Sequence, residues 1–166
     1  MTLEESSFLA QIISAVAVIA SLIFVGFQLK QATGSIRASS SQAHSALYTS
    51  IVQNIIANAD FARIWSIGLI HPEELRDDEW VRFVAHCSAL FRLYESSRVQ
   101  WRHGRLEQDH WHAVERQATS IGNQPGVKAA WILRGHWYSQ DLRDWYETLI
   151  HEKPEQIYSR ESLRTD

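Results

Sequence analysis

No acidic or basic residue stands between Glu5 and Lys30. That gap constrains the chain more than any other feature. Within it, Phe8 to Leu29 reads FLAQIISAVAVIASLIFVGFQL, 22 residues of which 17 are apolar. As an α-helix it is about 33 Å long, enough to cross a hydrocarbon core of about 30 Å. A cleaved signal peptide is one rival. Its apolar region is usually shorter and follows positive residues. Here the leader MTLEESS carries Glu4 and Glu5 with no Lys or Arg. No A-x-A-like site leads from the run into a new mature start. A buried core helix is the second rival, and 22 residues without a charge is long for one. The expectation is a single transmembrane helix over 8–29, with the lipid bilayer as its partner.

The flanks set an orientation. The N-terminal side holds the two acids, and the other side holds Lys30 and Arg37 with no acid before Asp60. The positive-inside rule then places the N-terminus outside and the C-terminal body in the cytoplasm. The single cysteine, Cys87, is compatible with a reducing compartment and excludes a disulfide framework. The full chain has 166 residues, 45% hydrophobic and 21% charged, with net charge −3 and pI near 6.2. Those values fit one ordinary domain with an appendage and argue against nucleic acid as a partner.

The chain divides into a short outer tail at 1–7, the span at 8–29, a helical stalk at 30–58, a helical domain at 59–153 and a polar tail at 154–166. The stalk lacks proline, and its apolar stripe strengthens late, through Leu47, Ile51 and Ile55 with Val52 and Ile56. Asp60 is the expected N-cap of a short helix, Phe61 to Leu69, with Ile64 and Trp65 inward. His71–Pro72 breaks it, and Pro72 to Arg76 reads as a turn. Asp77, Asp78 and Glu79 open a long helix, as acids suit the positive end of the helix dipole. Its stripe is Trp80, Phe83, Val84, Cys87, Leu90, Phe91, Tyr94 and Trp101, at helical spacing. Gly104 stops it.

Further helices are expected over about 107–121, with Trp111, Val114 and Ala118 inward, and over about 126–134. A last helix is capped by Ser139, buries Leu142, Trp145 and Tyr146 with Leu149 and Ile150, and ends at Pro154. Gly122, Asn123, Pro125 and Gly126 read as a loop. No segment alternates as a strand does. The fold class is therefore all-α: a transmembrane helix continuing into a stalk, then a small cytoplasmic helical domain. Seven tryptophans, all within residues 65–145, supply core volume there.

The chain resembles a group of uncharacterised bacterial small membrane proteins. The resemblance rests on LAQIISAVAVIASLIFVGFQLKQ (Leu9 to Gln31), NADFARIWSIGL (Asn58 to Leu69), YESSRVQWRHGRLEQDHW (Tyr94 to Trp111) and PGVKAAWI with YSQDLRDWYETL (between Pro125 and Leu149). It implies membrane anchorage and a bacterial inner-membrane home, and brings no activity, ligand or catalytic residue with it.

One pattern in the N-terminal helix suggests assembly. Positions seven apart read Ser7, Ser14, Ser21, Gln28, Ser35, Gln42 and Thr49, every one uncharged and polar. With Ala10 and Ala17 they make a small-residue seam through the span. Small residues let helices approach closely, and Ser or Gln can hydrogen-bond across the contact. A seven-residue period suits a left-handed bundle. The bland reading is a tolerated Ser hydroxyl bonded to its own backbone. The seam points to a homo-oligomer. As glue it would make a dimer or trimer; in a larger ring Ser14, Ser21, Gln28 and Ser35 would wet a narrow pore, with Phe24 as an apolar constriction. The alternative is a tethered scaffold recruiting a cytoplasmic protein partner.

Chemistry-bearing constellations are weak. Glu107 and His110 form E-x-x-H, a spacing that needs a second such motif and further carboxylates to hold a di-iron centre. His112 with Glu115, and Glu147 with His151, lack matching partners. No metal or other cofactor is expected. Cys87 lies on the core stripe and reads as an inert buried thiol. Glu95 stands among Arg92 and Arg98 as a structural ion-pair group. No nucleotide-binding or hydrolase signature occurs, so no catalytic residue and no enzyme is expected. Thirteen arginines face three lysines, and the acids interleaved among them suggest salt bridges rather than a nucleic-acid face.

Overall fold

The computed structural model describes Leu3 to His151, apart from the side chains of residues 3–6, 8–10 and 37. The expected polar tail at 154–166 lies outside the described residues. Six α-helices and two short 3-10 turns follow one another, with no strand among the described residues. They are α1 (Leu3–Ala57), α2 (Ala59–Ile70), α3 (Asp77–Arg102), α4 (Gln108–Gly122), α5 (Pro125–Arg134) and α6 (Gln140–Leu149). The chain forms two compact units, 1–39 and 40–166. The first consists of the N-terminal part of α1. The second, called the body below, begins at Ser40, so the last turns of α1 are one of its elements.

In the first unit every described side chain from Gln11 to Ile36 is exposed. Phe24 and Phe27 are more than 60% exposed, at 62% and 69%. One helix here is long and apolar enough to cross a membrane. Helical structure begins at Leu3, so most of the expected outer tail is already helical.

The body encloses one apolar core, although Ile56, Val81 and Ile132 stay exposed on its surface. Asn58, not Asp60, caps α2: its side chain accepts a hydrogen bond from the Phe61 amide at 3.0 Å. Asp60 stands one turn position further in and pairs with Arg82 at 2.6 Å and Arg63 at 3.3 Å. At the start of α3, Glu79 turns back to accept from the Arg76 amide at 3.1 Å. It is buried and also pairs with the Arg63 guanidinium. The Arg63 contact, ahead of the Arg76 amide, holds its carboxyl below the usual range.

Phe83, Val84, Cys87, Leu90, Phe91 and Tyr94 are buried along α3, as their spacing predicts, while Trp80 and Trp101 are only partly covered. Gly104 adopts φ +65°, the left-handed conformation that ends the helix and that side chains disfavour. The Gly122–Gly126 stretch is not a loop. Gly122 closes α4 and Pro125 opens α5, leaving Asn123 and Gln124 between them. Proline suits that first helical position because its missing N–H would be unpaired there anyway.

Aromatic rings fill the centre. Phe91 makes edge contacts with Trp131, Tyr138 and Tyr146. A second file stacks Trp101 on Trp111, which meets Trp145. Such pairs add about 0.5–1.5 kcal/mol each beyond area burial. Ser139 caps α6 by accepting from the Leu142 amide at 3.3 Å, and its own amide donates to Glu95 at 2.8 Å. The helix ends at Leu149, ahead of the expected stop at Pro154.

Candidate functional site

The expected stripe lies on the first unit and on the start of the body. Ser14, Ala17, Ser21, Phe24, Gln28 and Ser35 are all exposed, whereas the Ala10 side chain lies outside the described ones. The Ser21 hydroxyl donates to the Ala17 carbonyl at 2.8 Å. That bond satisfies the hydroxyl within its own helix. Thr33 does the same to Leu29 at 2.9 Å.

Sequence reasoning missed the most unusual polar group of the body. His44, on the last turns of α1, is 9% exposed. Its Nδ1 is 2.7 Å from the hydroxyl of Ser97 on α3, which is itself buried and donates to the Leu93 carbonyl at 2.8 Å. His110 on α4 stands beside it, ring centres 5.0 Å apart and planes nearly perpendicular. The His110 Nδ1 is 3.2 Å from the Ser41 hydroxyl. Burial, then the neighbouring His110, pushes the His44 pKa below its ordinary value. A groove of about 330 Å³ opens over the pair, bordered by Ser45, Tyr48, Thr49 and Gln117. A signal was present: His44 is seven residues before Ile51 and eleven before Ile55, on one helical face. Ser97 likewise falls between Tyr94 and Trp101 on the α3 stripe.

The other candidates resolve into structural roles. His110 of the E-x-x-H pair turns its Nδ1 to Ser41 on α1. His112 meets Glu115 at 3.1 Å, and Glu115 also accepts from the Trp145 indole at 3.3 Å. Glu95 pairs with Arg92 and receives the Ser139 amide. Burial works against that charge, but the Ser139 and Arg92 bonds prevail and its pKa falls. Arg98 leaves Glu95 for Asp141, bonding it at 2.8 and 3.1 Å. Cys87 is fully buried, and desolvation raises its pKa far above that of a reactive thiol. His71, Glu73 and Glu74 form an exposed group with ligand atoms within 4.8 Å of one another.

A second groove, about 640 Å³, runs between the end of α1, α2 and α3, with Asn54, Phe61, Arg82 and His86 at its walls. His86 packs against the rings of Phe61 and Trp65 at 5.0 and 4.8 Å and is 7% exposed. Burial lowers its pKa from 6.5 to about 4. The folded imidazole is therefore neutral where the unfolded one is protonated. Its contribution to stability is complete above about pH 6.5 and is lost as pH falls towards 4. The expected loss over that window is about 3 kcal/mol at most. Thermal unfolding measured across pH should show a flatter profile for His86→Leu than for the natural protein. Equal slopes would contradict a neutral buried imidazole.

Comparison with known proteins finds no matching family model, curated protein or solved structure.

Proposed function

We propose that this protein is a single-pass membrane protein that self-associates through its span and carries a packed helical body on the C-terminal side of that span. The observation that carries this reading is the unbroken exposed, mostly apolar stretch from Gln11 to Leu29, in a chain whose body encloses an apolar core. Water would penalise that surface by roughly 25 cal/mol per Å² of apolar area, and a bilayer removes the penalty. Lys30 and Arg37 support a cytoplasmic body by the positive-inside rule, and the resemblance to small bacterial membrane proteins supports an inner-membrane home.

Within the span the seam of Ala10, Ser14, Ala17 and Ser21 is the face best suited to helix–helix contact. The Ser21–Ala17 bond favours a packed seam over a water-filled lumen. A hydroxyl satisfied by its own helix can lie against a neighbouring helix without water.

The test is the mass of the full-length protein in detergent, by light scattering, with Ser14→Leu plus Ser21→Leu as the variant. A small oligomer that becomes monomeric in the variant is the expected result. At about 1–2 kcal/mol per disrupted interhelical contact, the dissociation constant should rise roughly tenfold or more. A natural protein that is monomeric at all concentrations, or a variant that associates equally well, would remove the seam from the reading. Four or more subunits with conductance in liposomes would replace the packed seam by a pore.

A further inference from the structure

The groove over His44 and His110 brings two imidazoles from α1 and α4 together at one opening. Both imidazoles present their Nδ1 to a serine hydroxyl. Ser97 has one proton, and at 2.8 Å the Leu93 carbonyl is placed to receive it. The Ser97 oxygen then accepts from the His44 Nδ1–H, which leaves the lone pair on Nε2. Ser41 can accept from His110 in the same way. Histidine ligands in metal sites are oriented by such a hydrogen bond at the second ring nitrogen.

The residues bordering the groove include no carboxylate and no Lys or Arg. Two imidazoles bound through nitrogen to one tetrahedral ion, with metal–nitrogen bonds of about 2.0–2.1 Å, bring their ring centres to roughly 5 Å. The observed separation is 5.0 Å.

We propose that His44 and His110 bind one divalent cation of the imidazole-preferring class, zinc foremost, across the end of α1 and α4. Two ligands come from the protein. That is one protein ligand fewer than in open zinc sites, and water or a small anionic ligand fills the remaining positions. Ser97 and Ser41 are positioning residues that set the tautomer. The ion fastens the last turns of α1 to α4, and its binding competes with protons.

The experiment uses the full chain in detergent, stripped of metal with a chelator and titrated with zinc chloride alone. One equivalent should bind, and thermal unfolding should move upward by about 5–10 °C at a hundredfold excess over the dissociation constant. His110→Ala, at a partly exposed position, should keep the helical circular dichroism and lose both effects. Ser97→Ala should keep the stoichiometry and weaken binding about 10–100-fold. His71→Ala, in the exposed His71–Glu73–Glu74 group, should change nothing. The proposal is overturned if no zinc binds, if His110→Ala binds as tightly as the natural protein, or if His71→Ala alone removes binding.

Discussion

Gly126→Ala is expected to destabilise the body by about 3 kcal/mol or more. A methyl group at this position would lie 1.7 Å from the carbonyl oxygen of Gly68 and 3.1 Å from the Phe83 ring. The oxygen belongs to the backbone of α2, so no side-chain rotation relieves the clash. Helices α2 and α5 must separate, and the packing of Phe83 against Trp65 separates with them. For a domain of this size the loss corresponds to a fall of roughly 10 °C in melting temperature, read by circular dichroism on the full chain in detergent. Gly34→Ala is the matching control, since nothing lies within 4 Å of its added methyl. It should leave the body's transition where it is. A Gly126→Ala protein that melts with the natural one would contradict the close crossing of α2 and α5.

The second large effect concerns the span. Replacing Ile19 and Leu22 by Arg should move the protein out of the membrane fraction. On insertion scales each exchange trades a favourable apolar residue for about +2.5 to +3.5 kcal/mol at the helix centre. The pair therefore costs about 6–8 kcal/mol. That exceeds what snorkelling from so central a position recovers. Fractionation with a carbonate wash, with the protein followed by immunoblot, gives the readout. Ile132→Arg provides the comparison, because Ile132 is equally apolar and 84% exposed but belongs to the body. It should leave the distribution unchanged. Retention of the doubly substituted chain in the membrane would show that the body, not the span, holds the protein there.

Much of the helical order was legible because periodicity carries it. The α3 stripe was readable from Phe83 to Tyr94, since a buried helix face repeats every three to four residues whatever it packs against. Boundaries were harder. Asp60 and Asn58 are both good caps, and propensity alone does not choose between them. The choice was made by Arg63 and Arg82, which occupy the Asp60 carboxylate. Gly122 and Gly126 read as loop residues because glycine is a poor helix former. Gly126 is instead helical, and glycine stands there because α2 approaches too closely for a side chain.

The zinc-type pair was illegible for another reason. His44 and His110 are 66 positions apart, and each sits in a locally unremarkable polar context. E-x-x-H at Glu107 drew attention to His110 but not to His44, which packs beside it. Local spacing reports which groups share a helix face, but not which face of another helix lies opposite.

By itself, the sequence determined the charge-free apolar run, the all-helical class and most of the inward residues of α2, α3, α4 and α6. All are consequences of local pattern, as hydropathy and a 3.6-residue period act within one segment. Only the tertiary structure decided that Arg98 pairs with Asp141 rather than Glu95, and that His44, Ser97 and His110 meet. Those are encounters between distant segments. They are settled by how helices pack and which buried polar groups must find partners there.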